Sequence, residues 1–203
     1  MTECVQNNRR ILVIDDNVAI HEDFRKILCQ GFDAALLHEA RGGLFDDVEA
    51  YQAVQKFDVD FADQGQEGHR MVQRAIQQGN PYALAFVDMR MPPGWDGVET
   101  IEHLWKEDEH LQIVICTAFS DHDWDQVLER LPKSDKLLIL RKPFDNIEVW
   151  QLANSLTKRW DQNRQAKSQL DMLAELADQR AEELQKESEQ IQLAMTAPTD
   201  VPE

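Results

Sequence analysis

The sequence predicts a doubly wound α/β domain, a parallel sheet of five strands with helices on both faces, followed by one long helix. Three observations carry this. Five short apolar runs alternate with segments of helical periodicity. Four of those runs end on polar or charged residues of a kind that seldom cluster by accident. Beyond Pro143, no Gly or Pro appears until Pro198.

The first run, residues 10–14, is β-branched and apolar and stops at Asp15-Asp16-Asn17. It reads as a buried parallel strand with carboxylates at its C-terminal tip. Residues 19–28 follow as a helix, with Ile20, Phe24, Ile27 and Leu28 on one face. Residues 30–55 hold Gly31, Gly42, Gly43 and the pair Asp46-Asp47, and read as an insertion with one or two short helices. Residues 57–62 alternate with period two, the signature of a strand. A helix over 68–78 is stopped by Gly79-Asn80-Pro81. The third strand, 82–87, ends at Asp88.

A loop rich in Pro and Gly, Met91-Pro92-Pro93-Gly94-Trp95-Asp96-Gly97, leads into a helix over 98–107. The fourth strand, 112–116, ends at Thr117. Residues 123–131 read as a helix. The fifth strand, 136–140, stops before Arg141-Lys142-Pro143. Asp145-Asn146-Ile147-Glu148 then has the form of a capping box. The helix it starts, to about residue 195, would be roughly 75 Å long. A heptad frame places Leu156, Asn163, Leu170, Ala177, Leu184 and Ile191 at a, and Ala166, Leu173 and Ala194 at d. Arg159, Arg180 and Glu187 also fall at d, so the seam is imperfect. The expectation is a helical linker over 151–195 that pairs as a parallel two-stranded coiled coil, giving a homodimer; the alternative is a solvated single helix. Residues 196–203 read as a disordered tail.

Composition narrows the function. The 203 residues carry a formal charge of −17. Such a surface repels phosphate backbones, so nucleic acid is not expected as a partner. Residues 151–203 hold six Lys/Arg against ten Asp/Glu and no helix-turn-helix pattern, which argues against a DNA-binding output. No apolar run reaches the roughly 18 residues of a membrane span. The first ten residues lack the apolar stretch of a signal peptide, so a cytoplasmic protein with no membrane partner is expected. Cys4, Cys29 and Cys116 show no paired spacing and read as reduced thiols. The six histidines show no ligand motif.

Ligands of doubly wound sheets bind outside the carboxyl ends of the strands. Here those ends carry Asp15, Asp16, Asp88, Thr117 and Lys142. Three carboxylates that converge repel one another, and a hard divalent cation relieves this. Mg²⁺ takes a few carboxylates, a carbonyl and retained waters. Asp16 and Asp88 are the candidate direct ligands, Asp15 binds directly or through water, and the backbone carbonyl of Arg90 is a further candidate. A carboxylate is also a nucleophile for phosphoryl transfer. The transferred group needs positioning and charge neutralisation above all. Lys142 offers an ammonium, Thr117 a hydroxyl, and Ala118 leaves room for entry. Each residue alone has a plainer reading: Asp15-Asp16 as an N-cap, Asp88 as a turn residue, Thr117 as a strand end, Lys142 as a solvated lysine. Their succession at strand tips favours a joint role.

These residues resemble the receiver domain of two-component response regulators, a flavodoxin-like fold. The resemblance rests on Ile-Leu-Val-Ile-Asp-Asp-Asn (11–17), Ala-Phe-Val-Asp-Met-Arg-Met-Pro (85–92), Asp-Gly-Val-Glu (96–99), Val-Ile-Cys-Thr-Ala (114–118) and Leu-Arg-Lys-Pro-Phe (140–144). It covers about residues 9–160, with the receiver itself at 9–150. It implies that Asp88 accepts a phosphoryl group from a histidine kinase or phosphotransfer protein, with Mg²⁺ at Asp15 and Asp16, Thr117 as switch hydroxyl and Lys142 as phosphate sensor. It further implies a cis peptide before Pro143. A domain of this kind catalyses only its own phosphorylation and dephosphorylation. Three features depart from the family: the long segment 30–55, an extra residue near Pro93-Gly94, and Ile139 where Tyr or Phe is usual. Phe119 and Phe144 are the candidate substitutes for that aromatic. The subgroup with these features is similar to receivers at the N-terminus of histidine kinases or cyclic-di-GMP enzymes. The chain is therefore expected to precede such a domain or to act through its helix alone.

Two other classes stand against this reading. A phosphohydrolase of the haloacid dehalogenase type needs Asp-x-Asp, and Asp15-Asp16-Asn17 lacks it. A receiver-like interaction module without phosphorylation would not need the acidic pair, Thr117 and Lys142 together.

Overall fold

A computed structural model describes residues 7–29, 56–118, 130–131 and 136–196, with side chains to residue 187. The predicted insertion (30–55), nearly all of the predicted helix 123–131, and the tail lie outside the described residues. The chain divides into two compact units, Met1–Gln162 and Asn163–Glu203.

The first unit is built on five parallel strands: β1 (Arg10–Ile14), β2 (Asp58–Ala62), β3 (Leu84–Asp88), β4 (Gln112–Ala118) and β5 (Leu137–Lys142). Their spatial order is β2-β1-β3-β4-β5. Among the described residues, the α-helices are α1 (Val18–Phe24), α2 (Gly65–Gln77), α3 (Gly97–Glu107) and α4 (Asn146–Thr196). This is the flavodoxin-like receiver fold with a long C-terminal helix, as the sequence predicts.

Period-two side-chain alternation sorts each central strand between two apolar layers. Leu12, Ile14, Ala85, Val87, Ile113 and Ile115 face one way and meet Val72 and Ala75 of α2 and Ile101 and Leu104 of α3. Ile11, Val13, Leu84, Phe86, Val114 and Cys116 face the other way and meet Phe24 of α1 and Val149, Ala153 and Leu156 of α4. Strands covered on both sides must be apolar throughout, which is why β3 has no exposed residue.

The elements differ from the predicted ones in detail. After Phe24 the backbone widens into a π-helical turn, Arg25–Cys29, and then Phe57 N–H bonds the Leu28 carbonyl. Strand β5 runs on through Lys142, because its backbone pairs Thr117 with Arg141 and Ala118 with Lys142. Helix α2 starts three residues before the predicted position. Two of its glycines, Gly65 and Gly68, are points of close approach. A Cβ on Gly65 would run into Thr100 of α3, and one on Gly68 would lie 2.9 Å from Cγ1 of Ile14.

The start of α4 follows the predicted capping box. Asp145 N–H donates to Oε2 of Glu148 at 3.4 Å, while the Asp145 carbonyl accepts from Glu148 and Val149. Asn8 N–H donates to Oδ1 of Asp161 at 3.1 Å and ties this helix to the segment before β1. The Cys29 and Cys116 thiols are free, and burial pushes both pKa values up. In the second unit α4 continues from residue 163, with Leu170, Leu173, Leu176 and Leu184 all more than half exposed. No helix among the described residues is long and apolar enough to cross a membrane.

Gly68→Ala tests the packing of α2 on β1. Overpacking costs about 1–3 kcal/mol, against about 1 kcal/mol gained in helix propensity. Because Ile14 is fully buried between neighbouring strands, the expected outcome is a lower urea midpoint with unchanged slope. An unchanged or higher midpoint would show that Ile14 yields freely.

Candidate functional site

The sheet order brings β1 and β3 side by side at its centre, with β4 and β5 to one side. Their C-terminal ends therefore meet. One oxygen from each of Asp15, Asp16 and Asp88 lies within 4.8 Å of the others. Asp15 and Asp88 are buried, whereas Asp16 is exposed.

Local backbone geometry fixes each carboxylate. Asp15 N–H donates to the Ala62 carbonyl of β2 at 3.1 Å. Its Oδ1 accepts from the Asn17 amide at 2.9 Å. The cap of α1 is not an aspartate: the side-chain oxygen of Asn17 accepts from Ala19 N–H at 3.0 Å. Asp15 and Asp16 are thus left for the strand tip. Oδ2 of Asp88 accepts from the Arg90 amide at 3.1 Å, so the turn aspartate and the site aspartate are one residue.

Lys142 closes the arrangement. Its Nζ donates to Oδ2 of Asp15 and to Oδ1 of Asp88, each at 2.6 Å. Burial pushes the Asp88 carboxyl above its usual range. The bonded ammonium of Lys142 pulls it back only in part, and the charge of Asp15 adds to the push. For Lys142, burial favours the neutral amine, but the hydrogen bonds and charges of Asp15 and Asp88 outweigh it and raise its pKa. Two buried anions around one cation leave an excess of negative charge, before Asp16 is counted.

The other predicted residues lie at the same sheet edge. Thr117 is buried, and its Oγ1 donates to the Ala118 carbonyl at 3.2 Å. Lys142–Pro143 is a cis peptide, and so is Pro92–Pro93. Ile139 is 45% exposed. Phe144, partly buried against the core layer, packs on Phe24 of α1 at 5.2 Å. Phe119 lies outside the described residues.

Gly97 is a part of the site that sequence patterning alone did not reveal. A Cβ there would lie 2.6 Å from the Asp88 carbonyl oxygen and 2.9 Å from Cα of Met89. Its N–H donates to the Met89 carbonyl at 3.0 Å. Only a residue without a side chain lets the start of α3 lie against the backbone of Asp88. The motif Asp-Gly-Val-Glu contained that signal, but nothing in it said what the glycine approaches.

The donor set suits a hard cation: three carboxylates at one strand edge, and a net negative charge that Lys142 does not cancel. Among the described residues, no other group of three potential ligands comes this close together.

Comparison with known proteins agrees with this geometry. The pattern of the response regulator receiver domain matches residues 44–154, just over half of the chain. A crystal structure named as an adenylate cyclase from Rhodopirellula baltica is 21% identical, with 81% of this chain and 98% of that chain covered and a TM-score of 0.57. A CheY-like response regulator receiver domain protein from Methanospirillum hungatei JF-1 is 17% identical, with coverages of 76% and 98% and a TM-score of 0.53. A two-component transcriptional regulator AraC from Clostridium phytofermentans ISDg is 21% identical, with coverages of 77% and 98% and a TM-score of 0.52. At such identities these likenesses carry the fold alone. No curated protein sequence matches significantly.

The electrostatics predict the effect of removing one charge. A carboxyl whose folded pKa is raised takes up a proton on folding, so stability falls as pH rises from the usual carboxylate range through that raised value. In the presence of chelator, Asp88→Asn should remove this fall and leave a protein more stable than wild type at neutral pH. Urea unfolding across pH measures it. A less stable variant with the same pH dependence would contradict the assignment.

Proposed function

The chain belongs to the response regulator receiver domain family, and we propose that Asp88 is its phospho-acceptor, served by Asp15, Asp16, Thr117 and Lys142. Receivers are the phospho-acceptor domains of two-component signal transduction. One observation carries the assignment of Asp88. Its carboxylate shares the Lys142 ammonium with Asp15, at equal distances of 2.6 Å, across 127 and 54 residues of chain.

The reaction follows from these groups. A carboxylate oxygen of Asp88 attacks phosphorus, the bond from phosphorus to the donor's nitrogen breaks, and an acyl phosphate forms. The donor's imidazole leaves with the electron pair and takes up a proton. Lys142 is already within hydrogen-bond reach of Asp88, so its ammonium can pass to a phosphoryl oxygen with little movement. Thr117 offers a hydroxyl to another. Asp15, Asp16, Asp88 and the Arg90 carbonyl would hold Mg²⁺, which supplies charge neutralisation on the phosphoryl oxygens. The unit turns over no external substrate in this reading. It catalyses only its own phosphorylation and dephosphorylation, with a histidine kinase or phosphotransfer protein as donor.

The output runs through β5 and α4. Leu140 of β5 sits in the same apolar layer as Val149, Ala153 and Leu156 of α4. A pull on Lys142, two residues from Leu140, therefore bears on the packed start of α4. Further along, Leu170, Leu173 and Leu184 fall on one heptad seam and are 55–66% exposed. Such a seam supports pairing with the same helix of a second copy.

With a small-molecule phosphodonor and Mg²⁺, intact mass should show one added phosphoryl group, absent in Asp88→Asn. Labelling that persists in the variant would move the acceptor elsewhere. For pairing, the solution mass of the wild type should be that of a dimer, falling to a monomer in Leu170→Asp/Leu173→Asp. A monomeric wild type would remove this output.

A further inference from the structure

The loop behind Asp88 carries the Arg90 amide that holds Asp88 Oδ2. That loop is held from both sides. Met91 is buried, and Gln64, the N-cap residue of α2, donates from Nε2 to the Pro92 carbonyl at 3.4 Å. Trp95 forms a three-ring cluster with two imidazoles. Its indole stacks on His103 of α3, with centroids 4.0 Å apart and planes at 25°, and lies 5.8 Å from His69 of α2. The two imidazoles are themselves 5.6 Å apart, edge to face.

Each imidazole is oriented by an acceptor. His69 Nε2 pairs with Oε1 of Glu107 at 3.0 Å, so that nitrogen carries the hydrogen. Gln73 of α2 donates to the same oxygen at 2.8 Å. His103 Nδ1 faces the Glu99 carbonyl at 2.9 Å, which can only accept. Glu107 of α3 faces both imidazoles and is held below the usual carboxylate range, first by the Gln73 bond and then by His69. On the loop, Asp96 is engaged by the Glu99 amide at 2.7 Å.

We infer that Trp95 is a positioning residue for the loop behind Asp88, and that protonation of the His69–His103 pair tightens its hold. Imidazole is the side chain that changes charge near neutral pH. A proton on His69 turns its bond to Glu107 into a charge-assisted one. A proton on His103 places a cation on the indole face. The two imidazoles face each other across 5.6 Å, so charge on both at once is opposed. The pair acts as a clamp on the backbone that runs through Arg90, and so on the fit of the cation site. This rests on the reading of Asp15, Asp16 and Asp88 as a Mg²⁺ site.

Linkage supplies the test. If protonation improves Mg²⁺ binding, Mg²⁺ must raise the titration midpoints of the imidazoles by the same factor. A cation acting only through space would lower them. Ring-proton NMR titrations of the full chain, assigned with His69→Gln and His103→Gln, should show an upward shift of about 0.3–0.5 pH unit with Mg²⁺, a two- to three-fold effect on affinity. Trp95→Phe should keep the shift and Trp95→Ala should lose it. Midpoints that stay put or fall with Mg²⁺, or that rise equally in Trp95→Ala, would overturn the inference. Calorimetry on the same samples separates the two failures: bound Mg²⁺ with unmoved midpoints overturns the clamp alone, and no Mg²⁺ binding overturns the cation site together with the clamp.

Discussion

The structure depends on a forced meeting of like charges. The ends of β1 and β3 cannot lie side by side without bringing the carboxylates of Asp15, Asp16 and Asp88 within 4.8 Å of one another. Lys142, arriving from the edge strand, neutralises one charge and no more. Burial makes the remainder costly, which is why Asp88 resists ionisation. A site in this condition suits a hard cation. Stability is given up locally, and the apolar layers on both faces of the sheet sustain it.

The fold places fully buried apolar residues directly beneath that site. Ile14, Val87 and Ile115, all fully buried, lie just below the strand tips on one face of the sheet. Gly97 brings α3 against the Asp88 backbone, and Gly68 brings α2 against Ile14. These approaches fix the loop from Met89 to Asp96, whose amide at Arg90 orients Asp88. On the opposite face, α4 shares its layer with β5. The strand that carries Lys142 is therefore also the strand against which the start of α4 packs.

Much of this was legible in the sequence, for a physical reason. Buried parallel strands read as apolar runs, so a charge at the end of one stands out, as Asp88 does after Leu-Ala-Phe-Val and Lys142 after Leu-Leu-Ile-Leu-Arg. The capping box at Asp145 was local enough to read directly. Features set by tertiary contact were not. The partners of Gly65 and Gly68, Thr100 and Ile14, lie far away in the chain, so those close approaches could not be read from it. The π-helical turn at Arg25–Cys29 leaves no mark in the pattern of Phe24, Ile27 and Leu28. His69, Trp95 and His103 come from two helices and a loop, so no spacing could have joined them.

The central claim is that one cation answers the charge of several carboxylates at once. Mg²⁺ affinity of the wild type, Asp16→Asn, Asp88→Asn and the double variant, measured by calorimetry, tests it directly. One shared ion predicts at least a ten-fold loss in each single variant and little further loss in the double, because contacts to the same ion are coupled. Affinities that stay at the wild-type value, or losses that simply multiply, would contradict it.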